Sequence, residues 1–383
     1  MDYIESLRAP QPLALLVTVT ITLLVLLIWL RPNNEAAVDF KVPVPEQARH
    51  GWKGKVLENP SIKVSGTSAI QCYAPASGYL LGLVNPSTAD GIDRAITRAD
   101  LAQKEWARTT FPQRRKVLRT LLKFLLENQE DIITAACLDS GKTRVDASFG
   151  EILVTAEKLK WTIDHGEKAL QPERRPTNFL MFYKRNEVIW QPLGVVAACV
   201  SWNYPFHNLF GPIISTLFSG NAIILKPSEQ TAWSSQYFVQ VARGALTACG
   251  HSPHLVQTCV CWPNVAPQLT SHPGIAHMTF IGSRPIGQLV AASAAKALTP
   301  CVMELGGKDA AIVLDDVGSD IDRIVSILMR GVFQAAGQNC IGIERIIALP
   351  SSYRILVSAL TPLIRSLRVG SVMDAKEPVD VGA

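Results

Sequence analysis

The sequence predicts an α/β protein with a doubly wound parallel sheet, preceded by one transmembrane helix. Beyond residue 192, short apolar runs rich in β-branched residues alternate with helical patterns. This alternation is the order in which parallel strands and their crossover helices follow one another. An uncharged run near the N-terminus indicates the transmembrane helix. The predicted strands are residues 195–200, 222–226, 276–281 and 311–314.

The N-terminal apolar run covers residues 13–30 and consists almost wholly of Leu, Val, Ile, Ala and Thr. At about 1.5 Å per residue it spans roughly 27 Å, just enough to cross a thin bilayer core. The alternative is a cleaved signal peptide, but Asp2 and Glu5 precede the run and no small-residue cleavage site follows it. We therefore predict a tail at residues 1–12, a membrane anchor at 13–30 and a linker at 31–70.

Charge and cysteine content bear on where the chain resides. Arg8 alone precedes the apolar run, whereas several basic residues follow it, so the positive-inside rule places the C-terminal bulk in the cytosol. Eight cysteines without a disulfide-framework spacing agree with a reducing compartment. A single anchor of this kind suggests the endoplasmic reticulum. The net charge of +5 is too mild and too dispersed to indicate a nucleic-acid partner.

Ahead of the sheet, the sequence predicts a β-hairpin over residues 71–88 followed by four helices. Asp90 is the candidate N-cap of the first helix, and Pro112 begins the second. The third helix is expected to end near residue 138, and the fourth to cover residues 147–165.

Residues 178–192 alternate loosely between apolar and polar side chains around the sequence Lys-Arg-Asn-Glu at 184–187. Alternation on both sides of a polar turn is typical of a β-hairpin. We therefore predict a hairpin that protrudes from the body of the protein.

Two motifs further along the chain indicate a nucleophile and a base. Glu304 lies in the sequence Met-Glu-Leu-Gly-Gly-Lys at residues 303–308, and Cys340 ends the sequence Gly-Gln-Asn-Cys at 337–340. An isolated cysteine is most often a small buried hydrophobe, and the carboxylate could simply bond the N–H groups of its own turn. The turn formers and polar residues around Cys340 favour an exposed, reactive thiol instead.

Three more motifs follow predicted strands, where parallel sheets bind ligands. The first is Ser-Trp-Asn-Tyr-Pro at residues 201–205, whose asparagine could also be an ordinary turn residue. The second is Lys-Pro-Ser-Glu at residues 226–229, which could also be a solvated charge pair. The third is Phe-Ile-Gly-Ser at residues 280–283 with Gly287, at a strand-to-helix turn whose N–H groups favour phosphate. A purely structural glycine turn is the alternative for this last motif.

Together these five motifs, in this order, resemble the aldehyde dehydrogenase superfamily from about residue 71 to the end of the chain. With the N-terminal anchor, the chain is most similar to the membrane-anchored fungal branch first named for meiotic sister-chromatid recombination. The resemblance implies a helical layer and NAD-binding domain at residues 71–303 and an α/β catalytic domain at 304–383. It also implies that the hairpin at residues 178–192 bridges subunits of a homo-oligomer.

The resemblance implies NAD(P)+-dependent oxidation of an aldehyde to a carboxylic acid. Cys340 would form a thiohemiacetal and then a thioester, with Asn203 and the Cys340 N–H group holding the oxyanion. Glu304 would activate the water that hydrolyses the thioester. The membrane anchor suggests a long-chain, lipid-derived aldehyde as substrate.

The resemblance also assigns cofactor contacts. Lys226 would bond the adenosine ribose and Glu229 would accept from its hydroxyl groups, which favours NAD over NADP because a carboxylate repels a 2′-phosphate. NADP is left open. The remaining cofactor contacts implied are Ser283 at the pyrophosphate, with Gly282, Gly287 and Trp202.

Only 43 residues follow Cys340, whereas members of the resembled family carry a long further segment after the nucleophilic cysteine. We therefore expect a C-terminally truncated chain with an incomplete catalytic domain. The alternative function is accordingly a catalytically impaired, membrane-tethered fragment with a scaffold or binding role.

One further cluster could suggest zinc. His251 and His254 lie close in sequence to Cys259 and Cys261, but neither spacing is typical of a structural zinc site. Prolines at 253 and 263 favour an ordinary loop, so we predict no metal.

Overall fold

The computed structural model describes residues 16–22, 35–371, 373 and 378–383. Residues 16–22 of the predicted membrane anchor are helical, whereas residues 13–15 and 23–30 and the tail at 1–12 lie outside the described residues. Among the residues that are described, none forms a helix with both the length and the apolar character needed to cross a bilayer.

The first elements are an antiparallel hairpin and a layer of helices, as predicted. Strands β1 and β2 pair with Ile70 opposite Val84. Burial of Ile92, Ala95, Ile96 and Ala99 on one face of the first helix follows from their helical spacing. The elements are β1 (Ile70–Tyr73), β2 (Leu80–Val84), α1 (Ala89–Trp106), α2 (Phe111–Glu127), α3 (Gln129–Ser140), α4 (Arg144–Ala147) and α5 (Val154–Ala169).

The helix ends are set by local capping. The N-cap of α1 is Thr88, whose hydroxyl accepts from Gly91 N, so the prediction of Asp90 as cap was wrong by two residues. Asp90 lies instead in the first turn, where its charge complements the helix dipole. Thr110 and Gln113 form a capping box at α2. Helix α3 stops where Gly141 adopts φ 75°, the left-handed C-cap conformation.

The fourth predicted helix is interrupted. A π-helical segment, Ser148–Leu153, lies between α4 and α5, and the helical stretch starts at residue 144 instead of 147. Gly150 of this segment lies under the Tyr204 ring, so closely that a Cβ there would be 2.2 Å from Tyr204 Cε1. Glu151 is completely buried. Such one-turn π segments often mark functional positions.

The predicted linker at residues 31–70 is packed on the helical layer over much of its described length. The Phe40 ring stacks on Phe124 with 4.6 Å between ring centroids, and the Glu35 carboxylate bonds the Arg115 guanidinium. The backbone of Val38 donates to the Thr120 hydroxyl. These contacts correct the linker prediction, because aromatic and charged side chains tie the segment to α2.

A second hairpin, β3 (Glu173–Arg175) and β4 (Asn186–Val188), pairs antiparallel in the region predicted to protrude. Its paired residues lie between 173 and 188, so the predicted bounds of 178–192 were shifted. The tip is a short 3₁₀ turn, Phe179–Met181, capped by the Asn178 side chain. The Phe179 side chain is 88 % exposed, and Leu180 and Phe182 beside it are exposed as well, so the tip carries a contiguous apolar patch.

The main sheet has five parallel strands in the order β7-β6-β5-β8-β9, which confirms the predicted doubly wound architecture. The strand order reverses between β5 and β8, the place where ligands bind in such sheets. Strand β7 was not predicted, since three residues give too short an apolar run. The elements are β5 (Val195–Cys199), α6 (His207–Phe218), β6 (Ala222–Lys226), α7 (Ala232–Ala248), β7 (Val256–Thr258), α8 (Pro267–Thr270), β8 (His277–Gly282), α9 (Arg284–Ala294) and β9 (Cys301–Leu305).

One hydrophobic core joins the hairpin, the helical layer and this sheet. At its centre Phe206 stacks on Phe210 at 4.2 Å and meets the edge of Phe238 at 5.1 Å. All five residues of β5 are buried, as expected for a central parallel strand. The loops after β5, β6, β8 and β9 therefore all begin at the carboxyl edge of a well-packed sheet.

A smaller unit follows the sheet. Strands β10 (Asp309–Val313) and β11 (Ile343–Ala348) pair in parallel, with helices α10 (Ile321–Phe333) and α11 (Pro350–Ser366) beside them. Its core is separate from the first one. The buried members of that core are Val313, Val317, Val325, Leu328 and Leu356.

Candidate active site

A pocket of about 850 Å³ contains both Glu304 and Cys340 in its wall. Its other walls come from the π segment and α5, from one face of α6, and from the strand face that carries Thr279 and Ile281. The predicted nucleophile and the predicted base, 36 residues apart in sequence, therefore face one space. Segments that are distant in sequence assemble that space.

The Cys340 thiol is presented by an irregular turn after α10. Ala335, Ala336 and Gly337 all have positive φ, at 49°, 57° and 75°. Left-handed backbone costs an alanine roughly 1–2 kcal/mol, so this turn is held by its surroundings. Cys340 is exposed, whereas the other seven free cysteines are buried or half-buried. The turn thus opposes the buried-hydrophobe interpretation and gives the sulfur the access that a nucleophile needs.

Asn203 lies against this turn. Its Nδ2 donates to the carbonyl oxygen of Gln338 at 2.8 Å, and its Oδ1 accepts from Ser201 Oγ at 2.8 Å and from Asn208 Nδ2 at 3.4 Å. Because the oxygen is bound by two donors, the amide nitrogen must face the Cys340 turn. No second acceptor for Nδ2 is found among the described residues, so its other hydrogen can donate to a ligand beside this turn.

Glu304 is the penultimate residue of β9 and pairs in register with Ile281 of β8. Its carboxylate makes no hydrogen bond or ion pair with any residue that the structure describes, so the interpretation of a carboxylate bonded to its own turn finds no support. The Gly-Gly turn then approaches the Cys340 segment. A Cβ on Gly307 would lie 2.5 Å from Asp309 Oδ1 and 3.8 Å from the Cys340 carbonyl oxygen. A larger residue at 307 would therefore require the Asp309 side chain to move.

A buried ion pair, which the sequence interpretation missed, holds Asn203 in place. Lys142 and Glu151 side chains are 3 % and 0 % exposed, and Lys142 Nζ donates both to Glu151 Oε1 and to the Asn203 carbonyl oxygen. The ammonium also lies 4.0 Å from the centroid of the Tyr204 ring. Lys142 therefore contacts the backbone of the predicted oxyanion donor directly.

Glu151 completes this network from the other side. Its Oε2 accepts from the backbone N–H groups of Phe206 and His207, at 3.1 and 2.8 Å, and so caps the N-terminus of α6. Burial raises the pKa of the Glu151 carboxyl, and the Lys142 ammonium acts against that rise. The sequence signal that could have indicated a buried Glu151 is its position beside the apolar residues Ile152 and Leu153 in a helical pattern.

Contacts from α10 link the same region to the Cys340 turn. Arg330 donates to Asp146 at 2.9 Å and lies over the Phe149 ring. The Gln334 amide reaches the Tyr204 hydroxyl at 3.3 Å. The Cys340 turn is thus positioned by the segment that also carries Lys142 and Glu151.

The predicted cofactor residues lie along the carboxyl edge of the main sheet. Lys226 ends β6 and bonds Glu229 Oε1 at 2.9 Å, with side chains only 12 % and 16 % exposed. Burial acts to lower the pKa of the Lys226 ammonium, but the Glu229 carboxylate outweighs it and the pKa lies above its ordinary value. A pair this sheltered differs from the solvated surface pair that was the alternative.

The turn at residues 282–287 has the form of a phosphate site. Ser283 is the N-cap of α9, and its hydroxyl makes no capping bond, so the hydroxyl is available to a ligand. A Cβ on Gly287 would lie 2.7 Å from Leu305 Cδ2, so this glycine allows α9 to pack on β9 beside Glu304. A Cβ on Gly282 would meet the Phe280 ring. Trp202 is half-buried just after β5.

The residues considered for zinc do not share one environment, since His254 is exposed, His251 is half-buried and the two cysteines are interior. Cys259 and Cys261 are buried in the main core, and burial raises the pKa of the Cys259 thiol to about 12. Across the described ranges, no group of three or more His, Cys, Asp or Glu side chains is arranged to hold a metal ion.

Comparisons with known proteins agree with these features. Residues 62–383 match the model of the aldehyde dehydrogenase family. The chain is 50 % identical over 357 residues to an aldehyde dehydrogenase-like protein of Saccharomyces cerevisiae, covering 90 % of this chain and 55 % of that protein. It is 53 % identical over 317 residues to another from Schizosaccharomyces pombe, covering 83 % and 60 %. The chain thus spans just over half the length of these relatives.

Among solved structures, the crystal structure of Mycobacterium tuberculosis aldehyde dehydrogenase complexed with NAD+ is similar, with a TM-score of 0.74 and 28 % identity. The similarity covers 84 % of this chain and 64 % of that one.

Proposed function

The chain belongs to the aldehyde dehydrogenase family, and on this premise we propose that it oxidises an aldehyde to a carboxylic acid with NAD+, using Cys340 as nucleophile. One observation carries the proposal. Cys340 and Glu304 line a single pocket while Asn203 donates a hydrogen bond to the Cys340 turn. A nucleophile, a base and an oxyanion donor are the three groups that acyl chemistry on a carbonyl requires.

In the proposed reaction the Cys340 thiolate attacks the aldehyde carbon, forming a C–S bond as the carbonyl oxygen takes up negative charge. Asn203 Nδ2 and the Cys340 N–H group stabilise that oxygen, and one such donor is typically worth about 2.7–4 kcal/mol in the transition state. When bound, NAD+ supplies the hydride acceptor. Glu304 then removes a proton from the water that attacks the acyl carbon on sulfur, and the acid leaves as the thiol re-forms.

The preference for NAD+ is part of the proposal. Glu229 is held in place by Lys226 where the resemblance puts the adenosine ribose, and its negative charge would repel a 2′-phosphate. The NAD+ complex of the similar mycobacterial enzyme supports the same choice. Ser283 and the first N–H groups of α9 would hold the pyrophosphate.

Formation of reduced cofactor by the purified chain tests this proposal. Small and long-chain aldehydes should each be supplied with NAD+ and with NADP+, because the membrane anchor suggests a long-chain substrate. We expect aldehyde-dependent NADH formation, a lower kcat/KM with NADP+, and the highest kcat/KM among the long-chain members. Absence of NADH with every aldehyde would refute the activity of this chain.

The apolar run at residues 13–30 supports a further proposal, that the chain is anchored in a membrane with its catalytic part in the cytosol. The run is uncharged, and residues 16–22 of it are helical. The full chain should then remain with membranes after alkaline carbonate washing, and a chain starting at residue 35 should not. Release of the full chain by that wash would argue against an anchor.

The exposed hairpin tip supports assembly into a homo-oligomer. Phe179, Leu180 and Phe182 are 88 %, 78 % and 75 % exposed, and so large an apolar patch normally meets a partner surface. Light scattering should give a mass above one chain, and serine at these three positions should lower it. A monomeric mass for the unaltered chain would exclude this interface.

A further inference from the structure

Lys158 lies in the pocket that contains Cys340 and Glu304. It comes from α5, and its Nζ approaches Gly211 of α6. A Cβ on Gly211 would be 3.8 Å from Lys158 Nζ and would meet no other atom within 4 Å. Because Gly211 has no side chain, the pocket wall has a recess at this position, and the Lys158 ammonium lies next to the recess.

This ammonium has no charge partner among the described residues. No carboxylate lies within ion-pair distance of Lys158, and burial lowers the pKa of its amino group, since nothing offsets the loss of solvent. The His207 ring in the same pocket carries no charge at neutral pH, because burial lowers its pKa to about 4. Its Nδ1 is 2.9 Å from the Thr155 hydroxyl. Burying a cation without a partner costs folding free energy, and a bound anion would offset that cost.

The other charged side chains in the pocket do not offer an unpaired positive charge as Lys158 does. Arg330 is already bonded to Asp146, so its charge is neutralised within the protein. Glu304 is a carboxylate, and the Gly-Gly turn that follows it approaches the Cys340 segment. An anion entering the pocket would thus be repelled from the reacting end and attracted to Lys158.

We propose that Lys158 binds a carboxylate at the far end of the substrate, so that the aldehydes oxidised are oxo acids whose carboxylate is remote from the carbonyl. The inference rests on the proposed function and specifies its substrate class. An ammonium–carboxylate hydrogen bond is about twice as strong as a neutral one, and a half-buried site screens it less than bulk water does. Lys158 is a specificity-determining residue in this scheme and takes no part in bond making.

The geometry also requires a spacer between the two ends of the substrate. Gly211 follows His207 by four residues, about 6 Å along the axis of α6, and Asn203 precedes that helix. A carboxylate at Lys158 and an aldehyde at Cys340 must therefore be separated by several carbon atoms. Short oxo acids should be poor substrates for this reason.

The test compares ω-oxo carboxylic acids of increasing length with their methyl esters, which keep the chain length, lack the charge and add one methyl group. We expect kcat/KM of the unaltered chain to be at least tenfold higher for the best acid than for its ester. In Lys158→Met this ratio should fall below threefold through a higher KM for the acid, and Lys158→Arg should restore most of it. The matched control is Lys160→Met on the same helix, whose exposed ammonium bonds Asp164 and should leave the ratio unchanged.

Equal kcat/KM for acid and ester in the unaltered chain would overturn the inference, as would a preference that survives in Lys158→Met. Failure of the proposed function gives a different result, with no oxidation of either compound. In that case calorimetric binding of the unreactive monocarboxylic acid of the same chain length decides. Binding at least tenfold weaker in Lys158→Met than in Lys160→Met supports the anion site, and equal binding overturns it.

Discussion

Replacing Cys340 with serine should lower kcat by at least about 10³-fold, because a serine hydroxyl without an adjacent strong base is a far weaker nucleophile than a thiolate. NAD+ should still bind. The predicted cofactor contacts lie elsewhere in the chain, at Lys226, Glu229 and Ser283, and Cys340 is exposed, so its replacement by serine should leave the fold intact.

The measurement is aldehyde-dependent NADH formation together with NAD+ binding followed by quenching of tryptophan fluorescence. Cys249→Ser is the matched control, since that half-buried thiol lies at the end of α7, away from the pocket. It should keep its turnover. Residual turnover near the original level in Cys340→Ser, or loss of NAD+ binding with turnover, would count against Cys340 as nucleophile.

Lys142→Met should destabilise the fold by about 3–5 kcal/mol near neutral pH, because it leaves the Glu151 carboxylate buried and without its counter-ion. The same substitution removes the donor to the Asn203 carbonyl oxygen, so kcat should fall as well. Urea unfolding followed by circular dichroism gives the change in free energy of unfolding. Among single substitutions outside the reacting groups, we expect few larger effects.

The loss should depend on pH in a defined direction. Without Lys142 the folded-state pKa of Glu151 rises further above its unfolded value, so the folded state binds more protons than the unfolded state. Stability of Lys142→Met should therefore fall as pH rises from about 5 through neutrality, compared with the unaltered chain. A loss that is independent of pH would show that the carboxylate charge is not its cause.

A second variant separates charge from packing. In Lys142→Met with Glu151→Gln, the amide oxygen can still accept from Phe206 N and His207 N while no charge is buried. The double variant should therefore be more stable than Lys142→Met alone. If the free energy of unfolding of the double variant instead falls below that of the unaltered chain by the sum of the two single losses, the two side chains act independently and the proposed coupling is wrong.

The sheet and the order of its elements could be predicted because their causes are local. The strand at residues 222–226 has the predicted bounds, since a run of apolar residues ending at Lys226 is both the sequence signal and the physical cause of a buried parallel strand. Glu304 and Cys340 could be nominated for a similar reason, because glycine-rich turns after strands are visible in the sequence.

The missed features depend on contacts between distant segments. Nothing near Glu151 in sequence indicates that its carboxyl caps a helix more than fifty residues later. The space beside Lys158 exists only because Gly211 lacks a side chain. The π segment that carries Glu151 likewise lies against the Tyr204 ring at Gly150. The roles of such residues can be recognised only from the three-dimensional structure, in which the distant segments are in contact.

The claim that Cys340 and Glu304 act on one carbonyl is tested most directly by the mass of Glu304→Gln after mixing with aldehyde and NAD+. Without the base, hydrolysis of the thioester should become the slow step. We predict a stoichiometric burst of NADH and a mass increase equal to the acyl group, located on the peptide that contains Cys340. Unmodified protein without a burst, or an acyl group on any other residue, would contradict the proposed site.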